Sequence, residues 1–444
     1  MKDLTKGRPS VLILTFALPI FLANLLQLTY SLADTRIVGT FLGDNALAAV
    51  GATTTLSNLI VQFLMGMCNG FAIISAQCFG AKDMDRLRRS LGNSLVLGLL
   101  AAVVLTIGGL VFLQPILRFL NVPENLLNTA TQYVSVIIAG LVVTLLYDVL
   151  SATLRAIGDT VTPLIVLAVS VVLNIGGDLL LIVVLHMGVL GAAVATVLSQ
   201  LIAVVVCAVY LWKKYEILRI RVDDMKLQDA GMLRNMLSSG LSMGFMSSLV
   251  NIGTLTLQTS INKLGQNIII AHTAARKISE IFMIMFSVFG QTMATYCGQN
   301  LGAGEITRIK KGVHASSFLA FLTSAFISIV MFLFGKTLLS MFISGDPEQT
   351  SQVLAIAWHY LSIMASCLCI LYFLYVYRSA LQGLGNTMIP MLSGVVEFFV
   401  RVGVALLLPK LIGQNGIFYA EIAAWTGAAV LLMISYYINI RKFA

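Results

Sequence analysis

Charged side chains are scarce in this 444-residue chain. Asp, Glu, Lys and Arg together supply 11% of the residues, whereas 58% are hydrophobic; soluble domains carry about 25% charged residues. This imbalance excludes a soluble globular protein. The chain also lacks a phosphate-binding Gly-x-x-x-x-Gly-Lys-Ser/Thr stretch and a His-Glu-x-x-His stretch, which disfavours an ATP-driven pump and a zinc protease.

The six cysteines show no disulfide or metal-binding pattern. Inside a helix, side chains spaced like Cys367 and Cys369 point apart, and the other four cysteines show no paired pattern, so neither a disulfide nor a metal site is predicted. The segment Gly240–Gly244 fits the hydrolase pattern G-x-S-x-G, but that pattern needs a strand-to-helix turn, and here it lies in an apolar helix. We therefore expect no enzymatic activity and no cofactor.

Long apolar runs are abundant instead. Stretches of about 20 residues, long enough to cross roughly 30 Å of hydrocarbon as helices, recur from end to end. The first has a basic flank, but it continues past Pro19 without a signal-peptide cleavage site, so we expect it to be retained. The sequence predicts an all-α integral membrane protein with twelve transmembrane helices near residues 11–38, 46–74, 92–113, 129–153, 161–184, 188–212, 233–260, 268–296, 312–340, 352–380, 388–410 and 415–440.

Basic residues predict the orientation. With the N-terminus inside, the inner segments hold most of the Lys and Arg, among them Arg155, Arg378 and the cluster in 213–234. The positive-inside rule then places both termini in the cytoplasm. We expect a multi-pass protein of the plasma membrane, monomeric, whose net charge of +9 needs no nucleic-acid partner.

An internal repeat divides the chain. The motif Gln77-x-x-Gly-Ala returns 222 residues later at Gln299, and the stretch 154–163 returns as 381–390. Two halves with an even number of spans are parallel repeats. We therefore predict two pseudo-symmetric six-helix bundles, 1–212 and 235–444, around a central cavity. The polar segment 213–234 between them is predicted to be a tether, with a regulatory role as the alternative.

Four polar side chains of the first half are predicted at similar depth in the membrane: Asp34, Asn174, Asp178 and Thr196. An ionised side chain inside a bilayer costs roughly 2.5 to 3.5 kcal/mol, so an intramembrane Asp points to a functional site. Asn174 and Asp178, four residues apart, share a helix face. Two carboxylates, an amide and a hydroxyl suit a small cation, and two close carboxylates can also share a proton. Na⁺ and H⁺ both stay open.

The chain resembles the multidrug and toxic compound extrusion (MATE) family of the multidrug, oligosaccharidyl-lipid and polysaccharide (MOP) flippase superfamily. The resemblance rests on residues 32–51, 154–163 and 172–178 and on the repeated Gln77 motif. It implies an antiporter that exports organic cations or drugs in exchange for H⁺ or Na⁺ by alternating access. It also implies a cation site at the four residues above, and it matches Pro19 to a proline that bends the first helix in some members.

The second half departs from the NorM branch, because residues 238–260 and 358–380 contain no acid. Substrate contacts are predicted instead at Glu280, the repeat equivalent of Asn58, and at three further positions: Met283, Gln291 and Tyr372. Polarizable Met and stacking Tyr side chains suit varied organic cations. Glu397 and Arg401 are predicted to form a structural ion pair, and Glu421 receives no role.

A flippase of lipid-linked saccharides or of another endogenous metabolite, from the same superfamily, remains the alternative. Such a protein is expected to line its cavity with basic side chains for an anionic head group. Within the predicted spans, Arg401 and the pair Arg276–Lys277 are the residues that support this alternative.

Overall fold

The protein is described by a computed structural model that covers residues 2–120, 122–343 and 347–443. In these ranges the chain is helical, and ten helices are long and apolar enough to cross a membrane. Two further pairs, each bent by about 45° at a short break, bring the count to twelve spans. The predicted all-α membrane fold is therefore confirmed. The helices are α1 Pro9–Leu42, α2 Asp44–Gly80, α3 Met84–Val111, α4 Leu113–Phe119, α5 Glu124–Ala139, α6 Leu141–Ala156, α7 Val161–Asp178, α8 Val189–Lys214, α9 Ala230–Ile261, α10 Gln266–Gly302, α11 Ile306–Ser340, α12 Pro347–Ser366, α13 Leu368–Gly383, α14 Met388–Ile412 and α15 Ala420–Arg441.

The repeat seen in the sequence is a repeat of structure. Helices α2 and α10 begin and end at positions 222 residues apart, and both are 37 residues long. Each ends the same way, because the backbone N–H after the last glycine bonds to the carbonyl of Gln77 in one half and of Gln299 in the other. Both helices run about six residues beyond their predicted inner ends, since a helix can continue in water where the apolar run stops.

The second repeated motif forms matching turns between α6 and α7 and between α13 and α14. Gly158 and Gly385 adopt φ of 86° and 80°, a left-handed conformation that glycine adopts without steric cost. The next residue then caps the following helix: Asp159 Oδ1 accepts from the Thr162 N–H at 3.0 Å, and Asn386 Oδ1 accepts from Ile389 at 3.3 Å. The same arrangement, a left-handed glycine followed by a capping side chain, therefore starts both α7 and α14.

The bent pairs also correspond to each other. α5 and α6 meet at 44°, and α12 and α13 meet at 45°. Cys367 lies at the second break, so the prediction that Cys367 and Cys369 sit inside one continuous helix was wrong. The apolar pattern continues across the break, which is why the sequence did not reveal it.

The chain packs as two compact units. The first comprises residues 1–3 and 18–244, and the second comprises residues 4–17 and 245–444. This grouping differs from the predicted division into 1–212 and 235–444, because two helices are shared between the units. The beginning of α1 belongs to the second unit and its remainder to the first, whereas the beginning of α9 belongs to the first unit and its remainder to the second. The predicted boundaries rest on hydrophilicity, and the division into two six-helix bundles stays a prediction.

The polar segment between α8 and α9 is docked on the first unit. Asp224 is buried, its Oδ2 accepts from Arg88 Nε at 2.7 Å, and it also accepts from the Arg221 N–H at 2.8 Å. A Cβ on Gly92 of α3 would lie 2.4 Å from the Asp224 carbonyl oxygen, so only glycine allows this close approach. The segment predicted as a tether is thus fixed at its middle to α3.

Candidate functional site

Three helices of the first unit bring the four predicted polar residues together. Asp34 lies two turns before the end of α1, Asn174 and Asp178 lie in the last turns of α7, and Thr196 lies about two turns after the start of α8. Asn174 Nδ2 and Thr196 Oγ1 are 3.3 Å apart. With its amide turned to satisfy both ends, Asn174 donates to Asp178 Oδ2 at 3.1 Å and accepts from the Thr196 N–H at 3.2 Å.

The two carboxyl groups face each other. Asp178 is 0% exposed, and its carboxyl group lies within hydrogen-bonding range of the one on Asp34. One oxygen of each, Asp34 Oδ1 and Asp178 Oδ1, is buried without a hydrogen-bond partner among the described residues. Buried acceptors without donors are costly, so this pair fits an added positive charge, either a proton or a small cation with oxygen ligands.

The backbone changes geometry directly after the site. α7 ends at Asp178, and Leu179–Val184 continues as a π-helical turn. Such turns are rare and frequently occur at functional sites. Here the turn follows directly after the Asp178 carboxylate and leads to the short connection before α8. In the first turn of α8, Gly191 packs against Leu181 of the π-helical turn.

Two tyrosines that sequence reasoning missed complete the site. The Tyr30 hydroxyl is 3.1 Å from Thr196 Oγ1, and Tyr133 of α5 lies within electrostatic reach of both carboxylates. Tyr30 could have been found, because it precedes Asp34 by four residues and so shares its helix face. Tyr133 could not, since its approach depends on how α5 packs.

In the second unit, three of the predicted substrate contacts lie along α10. Glu280, Met283 and Gln291 are separated by three and eight residues, which places them on one face of the helix. Glu280 is 58% exposed, and its Oε1 lies 3.2 Å from Arg276 Nε. Gln291 donates to Ser287 within the same helix at 3.2 Å. Their role in substrate binding stays a prediction.

The fourth predicted contact, Tyr372 of α13, lies in an aromatic cluster. It is 0% exposed, and its ring centroid is 4.0 Å from that of Phe286 and 6.0 Å from that of Phe289, both edge-to-face. This geometry stabilises the packing of α10 against α13. Stacking on a substrate stays a prediction for Tyr372.

The predicted ion pair of Glu397 and Arg401 is present at 3.6 Å, but Glu397 also accepts a shorter bond from Arg378. Arg378, which the orientation prediction counts among the inner-side cations, is buried: its side chain is 5% exposed and also donates to Ser393 at 2.9 Å. A basic residue near the end of a span can either face water or form a buried ion pair, so the burial of Arg378 became evident only from packing.

Glu421 has a defined partner that the sequence did not reveal. Its Oε1 accepts from Arg276 Nη1 at 2.7 Å, and its Oε2 accepts from the Tyr360 hydroxyl at 3.0 Å. Arg276 therefore contacts two carboxylates, Glu280 and Glu421, and its charge is compensated inside the unit. The signal was absent because 145 residues separate Arg276 from Glu421.

One further intramembrane acid was overlooked. Asp148 lies in the middle of α6, and the nearest opposite charge is Arg155 two turns along the same helix. Arg155 donates to Asn69 Oδ1 of α2 at 3.3 Å. Among the described residues Asp148 has neither a hydrogen bond nor an ion pair, and Arg155 is the cation that acts on its carboxylate electrostatically.

The sequence profile of the MatE family matches residues 19–180 and 242–407. The chain is 26% identical over 417 residues to the probable multidrug resistance protein YpnP of Bacillus subtilis, covering 94% of this chain and 92% of that one. It is 24% identical over 428 residues to the multidrug export protein MepA of Staphylococcus haemolyticus, covering 95% and 92%.

Solved structures agree on the fold. A crystal structure of MATE in the bent conformation superposes with a TM-score of 0.91 at 22% identity, covering 99% of this chain and 97% of that chain. An outward-facing multidrug resistance MATE family transporter of the MOP superfamily gives 0.91 at 21% identity, covering 100% and 99%. The two matched segments of the family profile fall in the two repeats described above. This chain is therefore a multi-pass membrane transporter that belongs to the MatE family, as its repeated motifs indicated.

Proposed function

We propose that this protein is a cation-coupled antiporter that exports organic cations, drugs among them, by alternating access. In this proposal Asp34 and Asp178 are the coupling carboxylates, and Asn174 and Thr196 are supporting ligands. One observation carries it: two carboxyl groups face each other inside the first unit, and each has a buried oxygen without a hydrogen-bond partner among the described residues. The names of YpnP and MepA, both long matches, support multidrug export.

The coupling follows from electrostatics. Two adjacent ionised carboxylates in a low-dielectric site repel each other, so α1 and α7 are held together at this point only when a proton or Na⁺ offsets one charge. Thr196 already links to both helices, through Tyr30 of α1 and Asn174 of α7. Loading the site therefore favours one arrangement of α1, α7 and α8, and unloading favours another, which is what exchange of an ion for a substrate requires.

Charged side chains in both units, each unit taken by itself, favour a cationic substrate. Arg276, which supported an anionic head group in the sequence, is already paired with Glu280 and Glu421, and Asp148 of the first unit has no such partner among the described residues. Export of an anionic metabolite is the second candidate, because a relative from Shewanella oneidensis that is 24% identical over 342 residues is called an FAD transporter. Lys277, exposed and without an ion pair in the described residues, is the feature that favours it.

The test uses purified protein in liposomes. Uptake of a fluorescent organic cation is followed under an imposed pH gradient and, separately, under an imposed Na⁺ gradient. We expect one gradient to drive transport, and Asp34→Asn and Asp178→Asn each to abolish it. Asp44→Asn, which removes an exposed carboxylate at the start of α2, is the matched control and should transport normally.

Each result assigns or rejects a part of the proposal. The gradient that drives transport identifies the coupling ion. Unchanged transport in Asp178→Asn, with the protein inserted and monodisperse, contradicts the assigned site. If neither gradient moves the cation but a flavin nucleotide is transported, the anionic candidate replaces the cationic one.

A further inference from the structure

The exposed face of α8, towards the end of the helix, carries a groove that the transport proposal does not use. It has a volume of about 490 Å³ and is lined by Val205, Val206, Val209, Tyr210, Lys213 and Lys214. Three valines thus form its floor along the helix, and two adjacent lysines lie at the end where the polar segment 215–229 begins. The groove is therefore apolar over most of its length and positively charged at one end.

The apolar part continues along the helix. Leu198, Leu201 and Ile202 extend the stripe of valines, and all six side chains are 42–53% exposed. From Leu198 to Lys213 the stripe measures roughly 22 Å at 1.5 Å per residue, whereas one leaflet contributes about 15 Å of a 30 Å hydrocarbon core. A chain lying along the stripe can therefore pass from the middle of the bilayer to its surface beside the lysines.

The lysines offer charge that the protein itself does not neutralise. Among the residues that the structure describes, neither Lys213 nor Lys214 has a carboxylate within ion-pair distance. The Lys214 ammonium instead contacts the Tyr210 hydroxyl and lies 4.7 Å from the centroid of that ring. The nearby acid Asp159 is already occupied by Thr162 and Tyr215, at 2.8 Å each. Two ammonium groups at the polar end of an apolar groove are complementary to a phosphate that carries acyl chains.

We propose that this groove binds an anionic glycerophospholipid from the leaflet next to the 215–229 segment, the one the positive-inside rule predicts to be cytoplasmic. Its phosphate lies between Lys213 and Lys214, with the Tyr210 hydroxyl as a further donor, and an acyl chain lies along the valines. Since α8 also carries Thr196, a lipid held here contacts the helix that contributes to the candidate cation site. The proposal does not depend on the identity of the coupling ion.

Trp212 provides the measurement, because it is 56% exposed and lies next to Lys213. The protein is reconstituted in phosphatidylcholine with increasing amounts of brominated phosphatidylglycerol. In a second series, phosphatidylcholine carries the bromine and phosphatidylglycerol does not. Bromine quenches tryptophan fluorescence only at short range. Trp212→Phe gives the background from Trp358 and Trp425, the other two tryptophans, which is subtracted. We expect Trp212 to be quenched preferentially by the anionic lipid.

The variant Lys213→Gln/Lys214→Gln should lose that preference. The ratio of binding of anionic to neutral lipid should fall about fivefold for each lysine removed, and by an order of magnitude or more for the pair. The matched control is Lys310→Gln/Lys311→Gln, which removes two lysines of α11 on the same predicted side of the membrane. All the substitutions lie at partly or fully exposed positions, so folding is retained. Equal quenching by both lipids in the parent, or equal loss in both double variants, would overturn the proposal. So would a dimeric parent whose Trp212 is shielded from both lipids, because a second copy would then occupy the groove.

Discussion

Replacing Glu397 by Gln should destabilise the second unit strongly. Glu397 is the ion-pair partner of two buried guanidinium groups, those of Arg378 and Arg401, and all three side chains are at most 5% exposed. Arg401 already has two nitrogens, Nε and Nη1, without a hydrogen-bond partner among the described residues. Glutamine keeps the shape but removes the charge, so both buried guanidinium groups lose their ion-pair partner.

The expected cost is about 3–5 kcal/mol, the range for removing one partner of a buried ion pair. An independent estimate agrees, because an uncompensated charge inside a membrane costs roughly 2.5 to 3.5 kcal/mol. For a unit of about 200 residues, 1 kcal/mol corresponds to about 2–4 °C in Tm. The predicted decrease in Tm is therefore about 6–20 °C.

Arg401→Met is the informative comparison. It removes the guanidinium with the unpartnered nitrogens and leaves Glu397 paired with Arg378, so we expect a much smaller loss of stability than in Glu397→Gln. Glu216→Gln disrupts an exposed pair with Arg219 at 3.0 Å, which is worth at most about 1 kcal/mol.

The assay heats the detergent-purified protein with a thiol-reactive maleimide dye, whose fluorescence rises as buried Cys297 becomes exposed. A Tm of Glu397→Gln within 2 °C of the parent, or a larger loss in Arg401→Met, would show that the assigned charge balance is wrong.

Three further predictions test other parts of the molecule. Asp148→Asn should lower kcat/KM for a cationic dye by about 10- to 150-fold, the value of one charge-assisted contact, and leave the Tm unchanged; equal transport by the variant would show that Asp148 does not contact the substrate. Partial burial raises the pKa of Asp159, but hydrogen bonds from Thr162 and Tyr215 and the nearby Lys214 outweigh it and hold that pKa below its usual range. The stabilising contribution of Asp159 is complete above about pH 5, starts to decrease near the ordinary value of about 3.9, and is lost as pH falls through the lower folded-state pKa. The Tm of the parent should therefore fall on acidification more steeply than that of Asp159→Asn, and parallel curves would contradict this. Gly92→Ala should displace the segment at Asp224, at a cost of about 1–3 kcal/mol, and speed tryptic cleavage at Arg221 and Lys226, which are exposed but lie in a docked segment; Gly108→Ala, where nothing lies within 4 Å of the added carbon, should do neither.

The sequence determined the class and the repeat of this protein by itself. Composition and run length decide whether a chain can cross a bilayer, because backbone groups in hydrocarbon must be satisfied within the helix. The two repeated motifs were legible because each encodes a local device: a helix end after Gln77 or Gln299, and a left-handed glycine followed by a cap at Asp159 or Asn386. Asn174 and Asp178 were found for the same reason, since their spacing places both on one face of α7.

Only the tertiary structure decided which distant groups meet. Arg276 and Glu421 are 145 residues apart, and Arg378 lies near a helix end, so neither pairing is visible in local pattern. The contribution of Tyr133 to the carboxylate site and the docking of Asp224 on α3 likewise depend on the packing of one helix against another. Local spacing fixes which side chains share a helix face, whereas the free energy of burying charge fixes which faces must come together.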